Sequence, residues 1–383
     1  MRVAHIISAL DARAGGPVAV LVGLTSALAT AGLRVKVVTT YKAGDDLSIA
    51  ETLRIHGIDA RVIGPCIWPL SWHPGIGPAL RDVIREVDVV HVHAVWEQVQ
   101  HEAAVTALRE GVPYVITPHG MLDPWSLEQK SVKKKLYMAW RLRRNLDRAA
   151  AIHFTSDMER DLTKPLGLRA VKIVEPNGID LAEFDPLPPA GTFRARYPQF
   201  GDRPIVLFMG RLHPKKGLDL LIPAFARTAP KEAVLVIAGP GSREYVDKVH
   251  ALIQRNGLGE RTLLPGMLYG RDRIAALTDA DLFVLPSYQE NFGIAVIESL
   301  AAGTPVVISD RINICEQIAN AAVGAVVPTD VSALSKELGN WLGDVDRLRR
   351  TSLKARAFVS EHYDWNRIAR CWIDHYRRLA KKT

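Results

Sequence analysis

Cysteine is scarce in this chain. Cys66, Cys315 and Cys371 are odd in number and far apart, which suits neither a disulfide framework nor a zinc site and points to a reducing, cytoplasmic compartment. No stretch reaches the roughly 20 uninterrupted apolar residues that cross a bilayer. The opening Met1–Leu10 has one arginine and a short apolar run, but Asp11 and Arg13 follow at once without a small-residue cleavage pattern, so it reads as a first strand. Short-period repeats and low-complexity tracts are lacking. Also missing is the G-x-G-x-x-G fingerprint with an acidic residue closing the second strand, which argues against a nicotinamide cofactor.

What is present describes a water-soluble globular protein: 383 residues, 48% hydrophobic and 23% charged, with a mean hydropathy of +0.03. That length exceeds what one core usually supports, so two domains are expected. A net charge of +8 and a pI near 9.4 favour anionic partners, whether nucleic acid, a phospholipid surface or a phosphorylated substrate.

Short Val/Ile-rich runs recur with helix-length segments between them, at Val3–Ser8, Arg34–Thr40, Val87–Val92, Tyr114–Thr117, Ala150–Phe154 and Val171–Val174. Nearly continuous apolar strands are what a parallel sheet covered on both faces requires. Pro17–Ala31 and Val99–Glu110 read as intervening helices. Ala182–Pro204 has the proline density of a linker. A second alternation follows, at Ile205–Met209, Val234–Ala238, Thr262–Leu264, Leu282–Leu285, Pro305–Ile308 and Ala325–Val327. The expected fold is α/β, two doubly wound Rossmann-like domains in tandem, with ligands at the carboxyl ends of the strands.

Three segments fall at such strand ends. Gly15-Gly16-Pro17 lies between the first strand and the first helix, where backbone amides can meet an anion; a plain strand–helix turn is the other reading. Gly210-Arg211-Leu212-His213-Pro214-Lys215-Lys216-Gly217 follows the first strand of the second half, placing Arg211 and Lys216 where two cations can neutralise a diphosphate, or else form a solvated turn. Tyr288-Gln289-Glu290-Asn291-Phe292-Gly293 leads into a helix bearing Glu298. Amides from Asn291 to Ile294 suit phosphate oxygens, with Asn291 as the expected cap. Glu290 suits sugar hydroxyls, and Glu298, about two turns on, reaches another part of the same ligand. Helix-capping or solvated glutamates are the plainer alternative.

Glu290 through Glu298 resembles the E-x7-E motif of retaining GT-B glycosyltransferases of family 4, the group 1 transferases. Gly210-Arg211-Leu212 with Lys216-Gly217-Leu218-Asp219 resembles their phosphate-binding segment, Pro176-Asn177-Gly178-Ile179-Asp180 the end of their N-terminal domain, and Gly15-Gly16 their first glycine-rich loop. Thr117-Pro118-His119-Gly120 fits the remaining family position, a histidine after a first-domain strand. The resemblance covers the whole chain in order. It departs at Asn291, where several relatives carry glycine.

The resemblance implies two domains facing a central cleft: an acceptor-side domain over 1–181, onto which a helix at 365–383 packs back, and a nucleotide-sugar domain over 182–364. It implies a hexose moved from a UDP- or GDP-sugar to a saccharide or lipid-linked acceptor, in bacterial polysaccharide or glycolipid synthesis. It implies attack from the front face, with the departing phosphate taking up the acceptor's proton. Arg211 and Lys216 would hold the diphosphate with Gly210, and Gly15 and Gly16 would approach it from the first domain. Glu290 and His119 would contact the sugar, Glu298 the ribose, and Phe292 and Gly293 would offer amides. No metal and no cofactor is expected, and the chain is read as offering no Asp-x-Asp to hold one. A nucleotide-sugar hydrolase, epimerase or phosphorylase-like enzyme is the rival.

A nucleic-acid partner is set aside, because the basic residues join no recognisable nucleic-acid fold. Lys130–Arg148 carries eight cations against the single acid Asp147, with Val132, Leu136 and Trp140 on one helical face. Such a helix either rests on an anionic membrane, placing the protein on the inner face of the plasma membrane, or packs the stripe on its own domain. The loops Cys66–Gly77, with Trp68, Trp72 and His73, and Met121–Ser126, with Asp123 and Trp125, are assigned to the acceptor side.

Overall fold

A computed structural model describes residues 1–11, 15–67, 70–228 and 230–381. Trp68, assigned above to the acceptor loops, lies outside them. The chain divides into two compact units, one formed by Met1–Gly178 together with the chain from Trp365 on, the other by Ile179–Asp364.

The first unit runs β1 (Arg2–Ile7), α1 (Gly16–Thr30), β2 (Arg34–Thr40), α2 (Ser48–Ile55), β3 (Asp59–Ile63), α3 (Ile76–Ile84), β4 (Val89–His93), α4 (Gln98–Glu110), β5 (Tyr114–Thr117), α5 (Pro124–Glu128), α6 (Ser131–Tyr137), α7 (Arg143–Arg148), β6 (Ala151–Phe154), α8 (Asp157–Leu162) and β7 (Val171–Val174). Its seven strands pair in parallel in the order β3-β2-β1-β4-β5-β6-β7. The second unit runs β8 (Ile205–Met209), α9 (Leu218–Thr228), β9 (Val234–Ala238), α10 (Arg243–Arg255), β10 (Thr262–Gly266), α11 (Gly270–Asp279), β11 (Leu282–Leu285), α12 (Ile294–Ala301), β12 (Val306–Ser309), α13 (Cys315–Ala321), β13 (Gly324–Val327), α14 (Val331–Leu342) and α15 (Val345–His362); α16 (Trp365–Ala380) closes the chain. Its six parallel strands take the order β10-β9-β8-β11-β12-β13. In each sheet the order reverses beside the first strand, between β1 and β4 and between β8 and β11. Helices must leave opposite faces there, which opens a crevice at the strands' carboxyl ends.

Alternation along the strands splits the first unit's core into two layers. Ala4, Ile6, Val90, Val92, Ile116 and Ile152 face α3, α4 and α7. Val3, Ile7, Val89, Val115 and Ala151 face α1, α2 and α16. The last helix belongs to this second layer, burying Trp365, Ile368, Trp372 and Tyr376. Trp365 is wedged over two glycines, since a Cβ on Gly23 of α1 or on Gly178 would run into its indole.

The structure adds to the sequence reading at three points. Ala182–Pro204 is no spacer: Phe184, Phe193 and Phe200 are buried, and the amides of Gly191, Phe193 and Arg194 donate to the Asp279 carboxylate at 2.7, 2.8 and 3.0 Å. The basic stretch runs helical without a break from Ser131 to Arg148 but is not regular, because a π-helical turn over Met138–Leu142 joins α6 to α7, rotating one face against the other. Of the two readings left open for its apolar stripe, packing onto its own domain does not hold. Val132, Leu136 and Trp140 are 70%, 67% and 74% exposed, and the Arg141 guanidinium lies 4.3 Å from the Trp140 ring centre.

Candidate active site

The second unit assembles most of the expected donor residues at its switch point. Gly210 and Arg211 leave β8, and Ser287 to Gly293 leave the neighbouring β11. Gly217, at φ 73°, ends the loop after β8 where a Cβ would strike the Pro286 carbonyl, so glycine alone lets the two loops meet. They then pair: the Tyr288 amide donates to the Lys215 carbonyl at 2.8 Å, Lys215 Nζ to Gln289 Oε1 at 3.0 Å, and Lys216 Nζ forms an ion pair with Glu290 Oε2. Arg211 stands exposed at the start of the same loop.

Behind this pair the Glu290 amide donates to the Arg311 carbonyl at 3.0 Å, and the Asn313 amide donates to the Glu290 carbonyl at 3.1 Å. The backbone under the carboxylate is thereby fixed. Gly293, at φ 73°, is the N-cap of α12, with no side-chain cap. Asn291 does not cap the helix as expected; its Oδ1 accepts from Asn313 Nδ2 at 3.2 Å. Phe292 is buried against Tyr363, ring centres 5.9 Å apart, which leaves its backbone as the part able to meet a ligand. With Ile294 opening α12, the helix end offers amides where its dipole favours an anion. Glu298 faces inward on α12 and pairs with Arg273 Nη1, whose Nη2 holds Glu183. Burial pushes the Glu298 carboxyl up.

In the first unit Gly15, at φ 87°, is the N-cap of α1, and a Cβ on Gly16 would meet open space. His119, at φ 52°, follows β5. Its turn is anchored by Glu159, whose Oε1 accepts from the Gly120 amide at 2.6 Å and whose Oε2 accepts from the Thr155 amide at 2.7 Å and hydroxyl at 2.8 Å. Full burial lifts the Glu159 carboxyl to about 7.

Sequence reasoning missed a row of imidazoles under this turn. His5 of β1, His91 and His93 of β4, and His153 of β6 alternate with core residues and face α16. His5, His91 and His93 each bring a ring nitrogen within 4.8 Å of the others, a set with the chemistry to hold a metal. Both His91 nitrogens, however, are taken by the Tyr376 hydroxyl at 2.6 Å and Thr117 Oγ1 at 2.7 Å, so an ion would have to displace those bonds. Two Asp-x-Asp triplets, Asp279–Asp281 and Asp344–Asp346, were also passed over. Asp279 receives the linker amides, Asp281 accepts from the Ile205 amide at 2.7 Å, and Asp344 caps α15. Arg273 gave no signal in sequence; the His-x-His on a buried strand did.

The description "Glycosyl transferases group 1" matches residues 191–358, and "Glycosyl transferase 4-like domain" matches 15–178. Alpha-maltose-1-phosphate synthase of Mycolicibacterium smegmatis is 30% identical over 315 residues, 76% of this chain and 79% of that protein. The chain belongs to the group 1 glycosyltransferases. The phosphatidyl-myo-inositol mannosyltransferase of Mycobacterium leprae is 29% identical over 382 residues, 87% of this group 1 transferase and 92% of its relative. The crystal structure of Anabaena HepE in complex with UDP and glucose superposes with a TM-score of 0.80 at 20% identity, covering 99% of this chain and 100% of that one. The tandem doubly wound α/β domains read from the strand pattern, and the GT-B architecture that the family resemblance implied, are shared with that structure.

Proposed function

We propose that this group 1 glycosyltransferase moves a hexose from a nucleoside diphosphate sugar to a saccharide or lipid-linked acceptor, with retention at the anomeric carbon and without a metal ion. The observation that carries this reading is the Lys216–Glu290 pair beside Arg211 and the α12 N-terminus, all at one switch point. The bond between the anomeric carbon and the diphosphate oxygen breaks, the acceptor oxygen bonds the same face of that carbon, and the acceptor's proton passes to the departing phosphate. Arg211, Lys216 and the amides of Gly293 and Ile294 offset the charge that grows on the diphosphate. Glu290 and His119 contact and orient the sugar, and Glu298, oriented by Arg273, takes the ribose.

The relatives' names support the donor and acceptor classes. HepE is described with UDP and glucose, and the leprosy bacillus relative is a phosphatidyl-myo-inositol mannosyltransferase, which fits a lipid-linked acceptor, an anionic membrane face and bacterial glycolipid or polysaccharide synthesis. The test is a thermal-shift screen against UDP-, GDP- and ADP-sugars, since a donor raises the melting temperature by binding the folded state. Turnover with the donor so found is then measured with and without chelator. Arg211→Ala and Lys216→Ala are each expected to lower turnover by about 10²-fold or more, the scale of a lost transition-state contact, with chelator making no difference. Near-normal kinetics in both variants sinks the assignment.

A further inference from the structure

The histidine row contains two hydrogen-bonded tracks whose proton order can be worked out. Burial lowers the pKa of His5 to about 3 and of His153 to about 4, and places His91, His93 and His119 below the usual imidazole range too. Each ring is therefore neutral near pH 7 and carries one N–H. In the first track the Glu175 carbonyl, which only accepts, lies 2.8 Å from His153 Nε2. Hence His153 is protonated at Nε2 and bare at Nδ1. Thr117 Oγ1 donates to that Nδ1 at 2.8 Å and accepts from His91 Nε2 at 2.7 Å. The Tyr376 hydroxyl donates to His91 Nδ1 at 2.6 Å.

The second track has no such carbonyl. His119 Nε2 lies 3.1 Å from His93 Nδ1, and His93 Nε2 lies 3.0 Å from His5 Nδ1. His5 Nε2, on a ring with no solvent exposure, ends the track with no hydrogen-bond partner among the described residues. A buried N–H without an acceptor is the rarer and costlier end than an unused lone pair. The order that leaves His5 Nε2 bare has His5 Nδ1–H donating to His93 and His93 Nδ1–H donating to His119 Nε2. Neutral His119 then carries its own proton on Nδ1, the nitrogen the track leaves over.

We propose that His93, itself oriented by His5, is a positioning residue that locks His119 as the Nδ1–H tautomer and so presents a hydrogen-bond donor to an oxygen of the transferred sugar. This rests on the reading of His119 as a sugar contact. His119 lies edge to edge with His93, ring centres 5.4 Å apart and planes within 16° of each other, as an in-plane N–H···N bond requires, and Glu159 holds the next residue's amide. Ring and backbone are thus fixed from separate elements, leaving the tautomer to His93.

The test is imidazole nitrogen NMR on the full chain labelled with ¹⁵N-histidine. In the unsubstituted protein His5, His93 and His119 are expected as Nδ1–H, against His91 and His153 as Nε2–H in the same spectrum. His93→Leu removes the lock and brings His119 to the Nε2–H form that free imidazole favours, whereas His93→Asn, which keeps an N–H near the Nδ1 position, retains Nδ1–H. Finding His119 as Nε2–H in the unsubstituted protein, or unchanged in His93→Leu, overturns the proposal, and the first measurement needs no variant to fold. Titration with UDP-glucose and GDP-mannose separates the two layers. If one raises the melting temperature while the His119 nitrogens stay still, the sugar role of His119 fails, although the tautomer order is as derived.

Discussion

Lys216 and Glu290 have side chains only 17% and 18% exposed, so each shields the other's charge while no anion is present. A diphosphate that draws Lys216 away must replace that partner, and a half-buried pair is worth more than an exposed one. On the proposed function Glu290 has two effects: it competes for the lysine and it orients the sugar. Glu290→Gln is accordingly expected to bind free UDP or GDP as well as the parent or more tightly, by calorimetry, while sugar transfer falls by about 10²-fold, the scale of one lost transition-state hydrogen bond. Weaker nucleotide binding in the variant would contradict this. The placement of the glutamates, Arg211 and Lys216 after β8 and β11 was legible because charge at a strand end is a local pattern. Arg273 was not, since its pairing with Glu298 crosses 25 positions. Nor was Asn291's partner, Asn313, which a separate loop supplies.

Strands buried on both faces were the easiest elements to read; Arg34–Thr40, Tyr114–Thr117, Ile205–Met209 and Leu282–Leu285 agree to the residue. The strand β3 was missed because it is a sheet edge whose Asp59 and Arg61 are exposed, so its apolar run is broken. The basic stretch was legible in composition but not in orientation. Helical periodicity gives a face, not the direction it points, and the π-helical turn lies outside that periodicity. With Val132, Leu136 and Trp140 turned outward beside Lys130, Lys133 and Lys135, α6 has the character of an interfacial segment. The protein is expected to co-sediment with vesicles containing anionic lipid, less so in high salt and less so as Leu136→Ser/Trp140→Ser. Equal recovery on neutral vesicles, or none on either, would count against a membrane role.

Across the whole molecule the two units differ in how protons act on them. The buried imidazoles belong to the first. Their folded pKa values, about 3 for His5 and about 4 for His153, lie below the roughly 6.5 of an unfolded histidine. Stability from such groups is whole above pH 6.5 and drains as the pH falls toward the folded values, by about 1.4 kcal/mol per unit for each group. Seven of the eight tryptophans lie in the first unit and Trp341 alone in the second, so tryptophan fluorescence reports chiefly the first. Between pH 7.5 and pH 5 the fluorescence-detected melting temperature is expected to fall further than the second unit's, followed by hydrogen exchange. An equal fall in both would refute it. The measurement that bears most directly on the central claim is a crystal structure with UDP or GDP bound. The diphosphate is expected against Arg211, Lys216 and the α12 N-terminus, with the Lys216–Glu290 pair opened. A diphosphate bound elsewhere, with that pair intact, would contradict it.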